Sequence, residues 1–194
     1  MFEYKTELWN KYTDDNEDKL QSSLSQFIYN TCITLGAKRI CEAGCNIGNN
    51  LSLFNNELEV WGFDKNKYAI EKAIQKLPEI NFKNEDISKT TFSDSHFDLV
   101  FTRGVFIHIP TSNVTESMDE LFRISKKWIF NLEYFGTDGE MINWKRGNDL
   151  CWYRNMKHRW EDYDVEIITD LELPKVIDDS HVRFTLLKKE QSDH

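Results

Sequence analysis

The chain has 194 residues, 40% of them hydrophobic and 13% aromatic, with a formal net charge of −9. This length suits one domain with a real core, and the acidity argues against a phosphate-backbone partner, which needs a clustered basic surface. No run of roughly 18 apolar residues occurs, and the opening "MFEYKTELWNKYTDDNEDK" is charged and aromatic, so neither a signal peptide nor a membrane span is expected, and the protein reads as cytoplasmic.

From Asp14 to Leu35 apolar residues recur on one helical face, through Leu20, Leu24, Ile28 and Cys32, and Gly36 is a fitting stop. "KRICEA" then reads as a strand, "NNLSLFNN" as a short helix and "EVWGFD" as the next strand. "KYAIEKAIQKL" is a helix with Tyr68, Ile70, Ala73, Ile74 and Leu77 near one face, ended by Pro78. "INFKNED" is a short strand, and "SHFDLVFTR" has the apolar run of a strand buried on both faces. Asn113 and Glu116 stand in capping-box spacing at the head of a helix, "NVTESMDELFRIS". "KWIFNLEYF" is a further buried strand. After an irregular or helical stretch around Trp152 come two strands, "DVEIITDLEL" and "HVRFTLLKK". Alternation of strand and helix predicts an α/β fold: a doubly wound, mostly parallel sheet of seven strands with an antiparallel C-terminal hairpin at one edge. Ligands of such sheets bind beyond the carboxyl ends of the strands, beside the first one.

Cys32, Cys41, Cys45 and Cys151 lack a second Cys or His pair at zinc-like spacing, so reduced thiols and no metal are expected. The densest basic segment, "WKRGNDLCWYRNMKHRW", is interleaved with aromatics; it reads either as a solvated loop and helix face or as a substrate-binding segment.

The loop after the first strand carries the chemistry. Glu42 ends that strand, and Gly44 and Gly48 frame a turn that lets a ligand approach main-chain atoms. The pattern E-x-G-x-x-x-G is not the three-glycine cradle of a pyrophosphate. A carboxylate just ahead of the loop suits an ammonium or hydroxyls better than phosphates. Asp64, twenty residues past Gly44, ends the second strand, where it can accept from both ribose hydroxyls; Asp86 ends the third and can accept from an adenine amino group. Each of these has an ordinary alternative as a turn or helix cap, and the ordered set on successive strand ends is more specific than any member.

With "ICEAGCNIGNNL", "VWGFDKN", "NEDI" and "FDLVFTRGVFIHI" in these places, the chain resembles class I S-adenosylmethionine-dependent methyltransferases of Rossmann-like fold. Through "TELWNKYTDDN", "NLEYF", "KRG" and "FTLLKK" it is similar to the pseudaminic acid biosynthesis-associated methylases, with a shortened N-terminal segment. The resemblance implies a lid and helix over 1–36, a cofactor-binding core over 37–134, a substrate-covering segment over 135–160 and closing strands over 161–194. It implies S-adenosyl-L-methionine as cofactor and S-adenosyl-L-homocysteine as product, bound along the backbone at Gly44, Cys45, Asn46 and Gly48. Glu42 would lie by its amino-acid end and Asp64 on its ribose, with Lys65 and Asn66 at the rim. Asp86 and Ile87 would meet the adenine, and Thr102 and Arg103 would line the methionine moiety by main-chain contacts.

Methyl transfer is an in-line displacement in which positioning can contribute roughly 7–11 kcal/mol, and a base is needed only when the nucleophile arrives protonated. His108 is the candidate base, or else a support for its loop. Glu133 and Tyr134, ending the fifth strand, are candidates for substrate contact, Glu133 alternatively as a structural carboxylate. Trp144, Arg146, Trp152 and Arg154 suit stacking on a ring and pairing with a phosphate or carboxylate, or plain packing over the sheet. Trp9 and Tyr12 are candidate lid residues. The expected acceptor is a small molecule, an amino or hydroxyl group of a sugar or nucleotide-sugar metabolite, with no nucleic acid or membrane partner. Methylation of a macromolecule, transfer of the cofactor's aminocarboxypropyl group and a non-catalytic binding module remain the alternatives.

Overall fold

In the computed structural model, which describes residues 5–18, 22–55, 57–147 and 149–190, the strands form one seven-stranded sheet in the order β3-β2-β1-β4-β5-β7-β6. They are β1 (Arg39–Ala43), β2 (Glu59–Asp64), β3 (Asn81–Asn84), β4 (Phe97–Arg103), β5 (Ser125–Tyr134), β6 (Val165–Glu172) and β7 (Val182–Lys189). β1 to β5 run parallel, and β7 lies antiparallel between β5 and β6. The expected sheet and its closing hairpin are both present, with β6 as the outer strand.

The apolar runs that marked β1, β4 and β5 divide by period two between the two faces. Ile40, Leu99, Phe101, Phe130 and Leu132 pack on one side with Leu24, Ile28 and Cys32 of α2 (Ser22–Thr34). Cys41, Val100 and Ile129 pack on the other with Val114, Met118, Leu121 and Ile124 of α4 (Val114–Ile124), and with Met156 and Trp160 of α5 (Met156–Trp160). Phe101 and Phe130 stack at 4.8 Å across neighbouring strands. Replacing Phe130 by Ala would open a cavity costing about 3–5 kcal/mol.

Three local expectations are corrected. The helix read from Asp14 is interrupted: α1 (Thr6–Asp15) ends where the Asn16 side chain donates to Tyr12 O at 2.6 Å, and α2 begins at Ser22. Leu20 lies outside the described residues. In α3 (Lys67–Lys76), Ala69, Ile70 and Ala73 are buried, but Ile74 is 50% exposed. Asn113 does not cap α4, because a short 3-10 turn over Thr111–Asn113 gives it helical backbone angles, from which a side chain cannot reach back to the first amides. Its Oδ1 accepts from Ser112 instead.

All four cysteines are buried and unpaired with one another. Among the described residues no helix is long and apolar enough to cross a membrane, and no cluster of ligating side chains suits a metal.

Candidate functional site

A cavity of about 590 Å³ opens at the carboxyl ends of the parallel strands, between α1 and the loops after β1, β2, β3 and β4. The loop after β1 is drawn against β2 by two amides: Gly44 and Cys45 both donate to Phe63 O, at 2.8 and 3.0 Å. Gly44 has φ +73°, and a Cβ there would stand 2.6 Å from the Val105 side chain, so loop and β4 turn can meet only at a glycine. Asn46 takes the left-handed conformation next, its N–H on Asp64 Oδ2 at 2.9 Å and its Oδ1 accepting from Thr13 Oγ1 of α1 at 3.1 Å. Gly48 does not line the cavity. A Cβ on it would press on Phe82 and Leu77, so it lets the turn close onto β3 and α3.

Glu42 is buried at one end of the cavity. Its Oε1 accepts from Asn50 Nδ2 at 2.6 Å, while Oε2 is buried with no hydrogen-bond partner. Burial lifts the carboxyl to about 8, against the pull of Asn50 and Arg103. Asp64, half-buried in the middle, receives one amide on each oxygen, from Asn46 and from Asn66 at 2.8 Å. Burial raises its carboxyl too, and each oxygen keeps acceptor capacity for a hydroxyl. Asn66 lines the wall, but its side chain caps α3 by accepting from Tyr68 N and also donates to Thr13 Oγ1. At the far end Asp86 is held by Ser88 and by an ion pair with Lys65, and Ile87 lies beside it.

The β4 end splits in two directions. The Thr102 side chain turns away from the cavity, whereas Arg103, expected to contribute main chain, lines the wall and bonds Asp178 Oδ2 through Nη2 at 2.9 Å. His108 ends a 3-10 turn over Phe106–His108, and its Nδ1 stands 2.7 Å from Leu150 O. A carbonyl can only accept, so Nδ1 carries the hydrogen and Nε2 is left as the basic nitrogen. Burial lowers this imidazole to about 4, with the charge of Arg103 acting the same way, so it is neutral near pH 7.

Several expected substrate residues sit elsewhere. Glu133 is not on the cavity wall: its carboxylate accepts from Thr102 Oγ1 at 2.9 Å and from the amides of Val105 and Ile107 at 3.1 and 3.3 Å. It straps the turn that carries His108. Arg154 is buried and donates to the carbonyls of Phe106, Ile109 and Tyr153, clamping the same turn from the other side. Trp152 lies under the Arg154 guanidinium, and its N–H holds Ile107 O. Tyr134 faces a separate hollow with Phe135, Tyr153 and His181. Trp9, Tyr12, His108 and Trp144 do come together, with ring centroids 4.8–5.9 Å apart. Trp144 and Arg146 are not on the cavity wall but back this roof: the Arg146 guanidinium lies over the rings of Tyr12 and Trp144 and bonds Asp15 at 2.6 Å.

Thr13, Asn50 and Asp178 were missed. Asn50 falls in the same Asn-rich stretch as Asn46, but nothing in its spacing shows that it reaches Glu42; Asp178 meets Arg103 only because the β6–β7 loop returns to the β4 end.

Residues 40–127 match the family described as "Methyltransferase domain". A curated phosphoethanolamine N-methyltransferase of Triticum aestivum is 26% identical over 98 residues, 47% of this chain and 18% of that protein. The chain thus spans under a fifth of the length of that relative. Magnesium protoporphyrin IX methyltransferase from Synechocystis PCC 6803, solved with bound SAM, superposes with a TM-score of 0.65 at 17% identity over 87% of this chain and 80% of that one. Phosphoethanolamine N-methyltransferase 1 of Haemonchus contortus, in complex with phosphoethanolamine and S-adenosylhomocysteine, superposes with a TM-score of 0.72 at 14% identity, over 97% and 49%. The fold is the one these methyltransferases share. The domain match points to S-adenosylmethionine as cofactor.

Proposed function

We propose that the protein is an S-adenosylmethionine-dependent methyltransferase whose acceptor is a small molecule, an amino or hydroxyl group of a sugar or nucleotide-sugar metabolite. The observation that carries this reading is the buried, unpartnered Oε2 of Glu42, at one end of a cavity that continues past Asp64 to Asp86 and Ile87. A buried carboxyl oxygen without a hydrogen-bond partner fits an ammonium, whose charge favours the ionised form of a group that burial otherwise keeps neutral. The residues therefore fit the cofactor: Glu42 would hold its ammonium, Asp64 its ribose hydroxyls, and Asp86 with Ile87 its base. The backbone of Gly44, Cys45 and Asn46 would run alongside.

When bound, S-adenosylmethionine supplies an electrophilic methyl group on a sulfonium. The protein's part is alignment and exclusion of water, which the roof of Trp9, Tyr12 and Trp144 supports. A hydroxyl acceptor gives its proton to His108 Nε2, the nitrogen that the Leu150 carbonyl leaves basic. An acceptor amine that is already neutral requires no base.

The test is incubation with methyl-labelled cofactor and fractionated cell extract. Label is expected in small molecules. Label confined to protein or nucleic acid would overturn the acceptor class, and failure to bind S-adenosylhomocysteine would overturn the reading entirely.

A further inference from the structure

A half-buried cation lines the cavity that Glu42 also lines. Arg103 closes β4 with its side chain 17% exposed, and Asp178, whose side chain is fully buried, holds it through Nη2. Asp178 is itself fixed, its N–H on Pro174 O and its Oδ1 accepting the Ser180 amide at 2.8 Å. A carboxylate that is itself held thus fixes one arm of the guanidinium. The phenols of Tyr134 and Tyr12 are its next electrostatic neighbours, and Glu42 stands on the cofactor side. The arginines first suited to recognising an anion are engaged differently: Arg154 lies on backbone carbonyls, and Arg146 pairs with Asp15 on the roof.

We propose that Arg103, held by Asp178 at the cavity wall, recognises an anionic group on the acceptor, so that the acceptor carries a carboxylate or a phosphate beside the group that is methylated. This rests on the methyltransferase reading and narrows its substrate class. A planar guanidinium presents five N–H donors in a fork that matches either anion. Its partial burial strengthens each bond, and an arm already held by Asp178 lowers the ordering cost of binding. A carboxylate can also come from the amino-acid end of the cofactor, and the experiment separates the two sources.

Calorimetry on protein saturated with S-adenosylhomocysteine, titrated with inorganic phosphate and with acetate, should show saturable binding of at least one probe. Arg103→Met should weaken that binding about tenfold or more. Arg103→Lys keeps the charge but not the fork, and should fall between; it serves as the second variant if the first misfolds. Both variants are also titrated with S-adenosylhomocysteine and with 5′-methylthioadenosine, which lacks the amino-acid end. Loss of about tenfold for the first ligand alone would assign the guanidinium to the cofactor's carboxylate and overturn the proposal. Wild-type protein that binds S-adenosylhomocysteine but neither probe would also overturn it, and would leave the methyltransferase reading standing. Wild-type protein that binds no S-adenosylhomocysteine would remove both.

Discussion

Glu42 is protonated at pH 7 in the ligand-free protein, since burial lifts it from an ordinary 4.5 to about 8. Between those values the folded chain holds a proton that the unfolded chain has lost. The contribution of this group to stability is therefore complete below 4.5 and is lost as pH rises through 8. Arg103 and Asp64 are the charged groups facing it. An ammonium placed against Oε2 favours the ionised form, so cofactor binding at pH 7 should release about one proton. Calorimetry in buffers of different ionisation enthalpy measures this, and Glu42→Gln should abolish it. Asp64→Ala should weaken S-adenosylhomocysteine by about 1.5–3 kcal/mol, because a charged acceptor of two hydroxyls disappears; unchanged affinity would remove Asp64 from the ribose. His108 moves in the other sense, from 6.5 down to about 4, so its share of stability is complete above 6.5 and drains away as pH falls toward 4. With a hydroxyl acceptor, His108→Asn should lower kcat about 10²–10⁴-fold while retaining cofactor affinity. The wild-type rate should show no acid limb near pH 6.5, and near-normal turnover of the variant would leave alignment alone to carry the reaction.

A chain of directed hydrogen bonds joins separate elements under the site. Trp160 Nε1 of α5 donates to Asn131 Oδ1 of β5 at 2.7 Å, Asn131 Nδ2 donates to Thr102 Oγ1 of β4 at 2.8 Å, and Thr102 donates to Glu133. Every proton points toward the carboxylate, which in turn holds the amides of the β4 turn. Glutamine at position 133 would turn a donor toward donors, so Glu133→Gln should lose about 1–3 kcal/mol in denaturant unfolding and shift the signals of the His108 turn. A loss below about 0.5 kcal/mol, the usual scatter for uncritical sites, would mean the strap is slack. Strands such as β4 and β5 were legible because burial on both faces writes a continuous apolar run. The tasks of Glu133 and Arg154 were not, because a strand-end carboxylate looks alike whether it meets a substrate or a neighbouring turn. The break between α1 and α2 also escaped, since one apolar stripe continued across it.

The whole molecule carries a net charge of −9, and its binding to DNA or RNA at physiological salt should be negligible; sub-micromolar affinity with a steep salt slope would reopen the macromolecular alternative. The sheet and the cavity residues Glu42, Asp64 and Asp86 were readable along the chain because they lie at or near successive strand ends in sequence order. The wall proposed to meet the acceptor comes from α1 and the β4 turn, backed by Trp144 and by Asp178 of the β6–β7 loop, and no single stretch announces that meeting. The way α1 is fastened has a kinetic meaning. Its buried residue is Thr13, and its C-terminal end is tied by Lys72 to Asp14 and to Glu17 just beyond it, at 2.9 and 2.6 Å, and by Arg146 to Asp15. Exposed pairs of this kind are weak, and mobile ions weaken them further as the Debye length falls from about 10 Å at 0.1 M salt to about 3 Å at 1 M. Ionic strength should therefore set the residence time of whatever lies beneath α1. Stopped-flow release of S-adenosylhomocysteine should quicken about two- to tenfold between dilute buffer and molar sodium chloride, and sucrose of equal osmolality should not reproduce it. Product would then leave such an enzyme at a pace tuned by the surrounding electrolyte.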